Sequence, residues 1–202
     1  MANTATLTSA GFETISQNTN INTQRSSMTV NLQNPSIATS TAGITYFFAM
    51  LRSVDTNSAT LRPLFQPFQA LDAAGAANNY SFLSISPRST GGAFTSLSIN
   101  TPQPIVASGQ EPDNYSDLWY VRIFGRIRTE GSNASGTTIA NVYPSGVMYM
   151  SYLRQADNTQ TIGKCGFTFS NSSRVSSIKF TYSSGNFYGL SHAYSPLDRS
   201  SG

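Results

Sequence analysis

An antiparallel all-β sandwich of the jelly-roll kind, with an extended N-terminal arm, is the fold this sequence predicts. Three observations lead there. Apolar residues recur at period two in short segments, the mark of half-buried strands. Gly, Pro, Asn and Ser clusters separate those segments at regular intervals. Helical periodicity is nearly absent. The 202 residues suffice for one domain with a real hydrophobic core and no disulfide staples.

Residues 1–27 are polar and rich in Thr and Asn, with widely spaced Leu7, Phe12, Ile15 and Ile21. This pattern predicts an extended arm whose apolar residues anchor on a neighbour. The arm holds one base, Arg25, and one acid, Glu13, unlike the strongly basic arms that neutralise packaged nucleic acid. Residues 28–202 are expected to form a single sandwich domain.

Within that domain, Met28, Val30 and Leu32 alternate with Thr29 and Asn31. Asn34-Pro35 ends that strand. Ile44 to Leu51 is apolar on both faces, as expected of a strand buried between layers. Leu64 to Ala74 is the one helix candidate, interrupted by Pro67. Phe82 to Ile85 and Phe94 to Ile99 follow as strands. The clearest strand is Leu118 to Arg128. One face reads Trp119, Val121, Ile123, Gly125, Ile127, and the other reads Leu118, Tyr120, Arg122, Phe124, Arg126, Arg128. Val142 to Leu153, Gly166 to Ser170 and Ser177 to Tyr182 complete the set, with a turn at Ala156-Asp157-Asn158. About eight to ten such strands suit a sandwich or jelly roll.

Charged residues make up only 10% of the chain and net charge is +3. Ser, Thr, Asn and Gln replace them. Neutral polar groups cost less to desolvate than charges, so such a surface suits packing against other subunits. Met1 is followed by no basic, then apolar, leader pattern. No apolar run reaches the length needed to span a membrane. The sequons at Asn79, Asn114, Asn133 and Asn171 are what an Asn/Ser-rich chain produces by chance.

Little points to catalysis. Cys165 is the single cysteine and His192 the single histidine, which leaves no thiolate or multi-histidine metal site. No nucleophile elbow, phosphate loop or dinucleotide fingerprint occurs. Glu111, Asp113 and Asp117 are close enough in sequence for a glycosidase carboxylate pair, though with Pro112 they also read as a solvated loop. No cofactor is expected.

The most suggestive surface feature is the strip Arg122, Arg126 and Arg128, interleaved with Tyr120 and Phe124. It reads as an outer face kept soluble by Arg, as a subunit interface, or as a surface for nucleic acid or glycan. Tyr188 and Tyr194, near turn-like Gly189 and Pro196, are candidates for contact with a ligand or partner. Trp119 lies on the apolar strand face and reads as core.

Two stretches carry a resemblance. Gly185, Asn186, Phe187 and Gly189, at the end of Ser176 to Gly189, resemble the last strands of β-sandwich head domains in tailed-phage fibres. Tyr115, Leu118, Gly125 and Arg128 resemble an upstream strand of the same family. The chain departs where Tyr194 is followed by Ser195-Pro196. Jelly-roll coat proteins of small icosahedral viruses are similar in length and composition. Both resemblances imply a non-enzymatic virion structural protein, in a capsid, decoration or fibre, whose partners are copies of itself and other virion proteins. The alternatives are a lectin-like module for host-surface glycan and, further off, a glycan-cleaving enzyme.

Overall fold

The computed structural model describes residues 12–32, 44–54, 61–69, 80–85, 101–106, 108–113, 121–128, 143–170 and 175–196. They contain twelve strands: β1 (Phe12–Asn18), β2 (Gln24–Arg25), β3 (Met28–Asn31), β4 (Ile44–Ser53), β5 (Pro63–Gln69), β6 (Tyr80–Ile85), β7 (Gln103–Pro104), β8 (Val121–Arg128), β9 (Ser145–Leu153), β10 (Gln160–Phe169), β11 (Val175–Tyr182) and β12 (Phe187–Pro196). No helix occurs among the described residues.

All strand pairs are antiparallel, and they form two sheets. The larger has eight strands in the order β1-β12-β4-β8-β9-β10-β6, with β2 also pairing with β12. The smaller runs β3-β11-β5-β7. One face of each is packed into a common core, as expected of a sandwich.

Side-chain alternation decides which face is which. On β8, Val121, Ile123, Gly125 and Ile127 point inward, while Arg122, Phe124, Arg126 and Arg128 are exposed. Both faces match the sequence reading. On β11, Ile178, Phe180 and Tyr182 are buried as expected. From the smaller sheet, Phe65 meets Phe167 (5.2 Å between ring centroids), Phe82 (5.8 Å) and Phe180 (5.9 Å). Phe180 in turn meets Phe47 at 6.1 Å. These rings join the two sheets through the centre.

The larger sheet is wider than its partner. Residues 101–106 close part of the difference, burying Ile105 and Val106. Tyr80 Oη donates to Thr101 O (2.8 Å) and Ser84 Oγ to Ile105 O (2.7 Å), which ties this segment to β6.

Three sequence expectations need correction. The helix candidate 64–74 is strand β5 over Pro63–Gln69, and 70–74 lie outside the described residues. Alternate burial of Pro63, Phe65, Pro67 and Gln69 follows a strand period. Pro67, which lacks an N–H, is tolerated because β7 pairs only with Leu64 and Phe65, leaving Pro67 on the open side of β5. The arm is not free from residue 12 onward: β1 and β2 pair with β12 of the same chain. Phe12 and Ile15 therefore dock on their own sheet rather than on a neighbour. Ile21 is exposed in a turn, and Leu7 lies outside the described residues. The third concerns β4, whose outward residues are half-buried while its inward ones are buried, so only one of its faces is core. The expected strand 94–99 and Trp119 also lie outside the described residues.

Gly125 is required by packing. A Cβ built there would fall inside the Phe47 ring. Gly125→Ala should therefore destabilise the protein by about 1–3 kcal/mol through overpacking. That corresponds to about 2–4 °C of Tm per kcal/mol at this chain length. Urea denaturation of Gly125→Ala, Phe47→Leu and the pair checks it. The pair should lose less than the sum of the singles, because the smaller side chain vacates the space the new methyl needs.

Candidate interaction surface

The outward face of the larger sheet brings together most of the residues singled out in the sequence. Strand register sets them in rows that run across the strands. One row reads His192, Phe48, Phe124, Tyr149, Lys164 and Ile85, from β12 through to β6. On one side lie Leu190, Met50, Arg122, Ser151 and Ile162. On the other lie Tyr194, Tyr46, Arg126 and Val147, and beyond them Ile44, Arg128 and Ser145. A row of rings thus runs between rows that carry arginine.

Aromatic contacts order the β1 end of this face. Tyr46 and Tyr194 stack at 5.6 Å with 13° between their planes. Phe12 meets Tyr194 edge-on at 5.5 Å and Tyr46 at 6.2 Å. Tyr46 reaches Phe124 at 6.3 Å. Burial and the neighbouring Tyr46 push the Tyr194 phenol above its ordinary pKa. Towards β10 the rings stand open: Phe124 is 45% exposed, Tyr149 49% and Ile162 63%. Scattered apolar side chains on a surface are ordinary, but contiguous ones on a sheet face mark a contact site.

The face is basic. Arg52, Arg122, Arg126, Arg128 and Lys164 project from it, and no described carboxylate does. The Arg52 guanidinium sits 5.0 Å from the Tyr188 ring centre, and Lys164 Nζ lies 5.8 Å from that of Tyr149. Such contacts hold cations against the rings.

Tyr188 and Tyr194 are not on loop tips. Both project onto this face from within β12, Tyr188 near its start and Tyr194 towards its end. They are six residues apart, about 20 Å along the strand, too far to form one small ligand site. Tyr188 Oη accepts a hydrogen bond from Gln24 Nε2 of β2 (3.0 Å). Tyr120 lies outside the described residues. The sequence reading missed Phe48, Tyr46 and Met50, because the doubly apolar run on β4 looked like a fully buried strand.

His192 is half-buried on the same face, with Nε2 3.2 Å from Thr14 Oγ1. Cys165 points into the core, and burial pushes its thiol pKa up, away from nucleophile chemistry. Among the described residues no group of His, Cys, Asp and Glu is arranged to hold a metal.

The acidic stretch does structural work. Glu111 Oε1 accepts from the Gly109 N–H (3.0 Å), and the Glu111 carbonyl accepts from Gln155 N (3.0 Å). Asp113 N donates to Leu153 O (2.7 Å), and its side chain is buried rather than solvated as expected. Asp117 lies outside the described residues. Opposite, Arg154 pairs with Asp157, whose Oδ1 also accepts from Thr159 N at 3.2 Å. The described acids therefore fix the end of the β9–β10 hairpin, whose turn falls where the sequence put it.

No protein-family model matches the chain, and no curated protein or solved structure does either.

Tyr152, beside this acidic loop, carries a testable signature. Its hydroxyl is buried without a hydrogen-bond partner. Burial pushes its pKa up to about 12, against 10.0 for a free phenol; Arg154 pulls it down and Glu111 pushes it up. A raised folded-state pKa gives stability that is complete below pH 10 and lost as pH climbs through 12. Tyr152→Phe should match the parent within about 1 kcal/mol at pH 7. Between pH 10 and 12 it should lose stability less steeply than the parent, as read by urea titration at each pH.

Proposed function

We propose that this chain is a non-enzymatic structural protein of a virus particle, a jelly roll that self-assembles and packs against other virion proteins. The strand order carries the reading. Setting aside β2 and the strands that widen the larger sheet, β6, β9 and β10, eight strands remain in two four-stranded arrays, β1-β12-β4-β8 and β3-β11-β5-β7. Each places the late strand, β12 or β11, between two earlier ones, the return that makes a Greek key. Two Greek keys facing each other form the jelly roll found in viral capsid and lectin domains.

Fold alone does not assign function. The surface narrows the choice. Charged residues are 10% of the chain. A neutral polar surface is cheap to desolvate against copies of itself. Glu111 and Asp113, the described acids of the glycosidase reading, are engaged in holding a hairpin end. The tyrosines of the lectin reading are spread along a strand. Assembly into a capsid, decoration or fibre, with the virion as the site of action, uses all these features.

Mass by light scattering on the purified chain, followed by negative-stain microscopy, tests the reading. Closed shells, trimers or regular lattices are the expected result. A monodisperse monomer at high concentration would overturn it. Deletion should be confined to residues 1–11, since removing 1–27 strips β1 and β2 from the sheet and confounds assembly with folding. A glycan array should stay flat.

A further inference from the structure

We propose that the outward face of the eight-stranded sheet binds single-stranded nucleic acid, with Phe48, Phe124 and Tyr149 as the base platform and Arg122, Arg126 and Arg128 as phosphate contacts. The inference stands on this face alone and does not need the assembly reading.

Three neighbouring strands, β4, β8 and β9, present the rings side by side in register. Strands lie about 4.8 Å apart, so the row extends about 10 Å. An aromatic row on an open sheet is a known way to stack two or three unpaired bases. Arg122 and Arg126 flank it on β8, one on each side, about 13 Å apart; Arg128 lies about 7 Å beyond. Their guanidinium groups match phosphate oxygens in charge and in planar two-point geometry. Rings between cations, on an open sheet face, suit a strand read by stacking rather than by sequence.

The charges described on this face work against the simplest rival occupant, the same face of a second copy. Arg122, Arg126, Arg128 and Lys164 would meet their own copies with no described carboxylate between them. The described carboxylates, Glu111, Asp113 and Asp157, all lie at the hairpin end and are engaged there. A duplex is also a poorer match, because it hides its base faces from the exposed rings.

The test uses the full chain and a labelled oligothymidylate of about 20 nucleotides, longer than the ~4–16 such surfaces occupy. Fluorescence anisotropy should show binding that weakens with salt. Arg122→Ala and Arg126→Ala should each flatten the slope of log K against log salt by about 0.7. Phe124→Leu keeps the apolar area but removes the ring, and should weaken binding roughly 5- to 150-fold. These side chains lie outside the core, so thermal melts should match the parent. No binding at low salt would overturn the inference. So would binding unchanged in the Arg122→Ala/Arg126→Ala pair, or competition by polyglutamate as strong as by unlabelled oligonucleotide. Light scattering on the same samples separates the two readings. A monomer that binds keeps this inference and removes self-assembly; assemblies that bind nothing do the reverse.

Discussion

The packing of Phe65 against rings from both sheets is the contact on which the rest of this fold depends. Its ring lies within 6 Å, centre to centre, of Phe82 and Phe167 in the larger sheet and of Phe180 beside it. Phe180 passes the contact to Phe47, and Phe47 fits only because β8 has a glycine beneath it. The series of rings spans the core from β6 to β8. A loss of any one ring leaves a void that close-packed neighbours fill poorly. With the two sheets locked at this point, the outward residues of β4, β8 and β9 stand in fixed register, and the surface rows follow from the core.

How much of this was legible in the sequence depends on whether a residue's role is local. β8 was readable on both faces because its inward positions are aliphatic or glycine and three of its four outward positions are arginine. β11 and β3 were readable for the same reason. β5 was not. Two prolines and three bulky apolar residues hid its period, and only the shortness of β7 explains why Pro67 is tolerated. The outer face of β4 was read as core because Tyr46, Phe48 and Met50 are as apolar as a core. Composition does not record that only the opposite face of the strand is core. The surface itself was half legible. The arginine strip and Phe124 were visible on one strand, but the rings beside Phe124 come from β4 and β9, brought alongside by pairings distant in sequence.

The larger sheet must keep an apolar face soluble in the free chain. Its arginines serve that end as well as any partner. Long stems cover apolar area while the heads stay in water. Arg52 over Tyr188 and Lys164 over Tyr149 apply the same arrangement to the rings. The end without such cover is closed by the chain's own N-terminal strand, where Phe12 caps the Tyr46–Tyr194 stack. Residues that read as an arm for a neighbour thus finish the chain's own sheet.

Edges decide how such a sandwich can associate. An exposed strand edge invites open-ended pairing with another copy. Here the smaller sheet ends in β7, two residues long, and β3, four residues long with Thr29 and Asn31 turned to solvent. In the larger sheet the longer edge strand, β1, breaks register between Thr14 and Ser16, and this bulge interrupts its hydrogen-bonding ladder. The short edges β3 and β7 and the bulged edge β1 work against fibre-like growth by strand addition, and β6, six residues in regular register with β10, is the remaining described edge. Apart from that edge, ordered association is left to faces and loops, whose shape can close an assembly instead of extending it without limit.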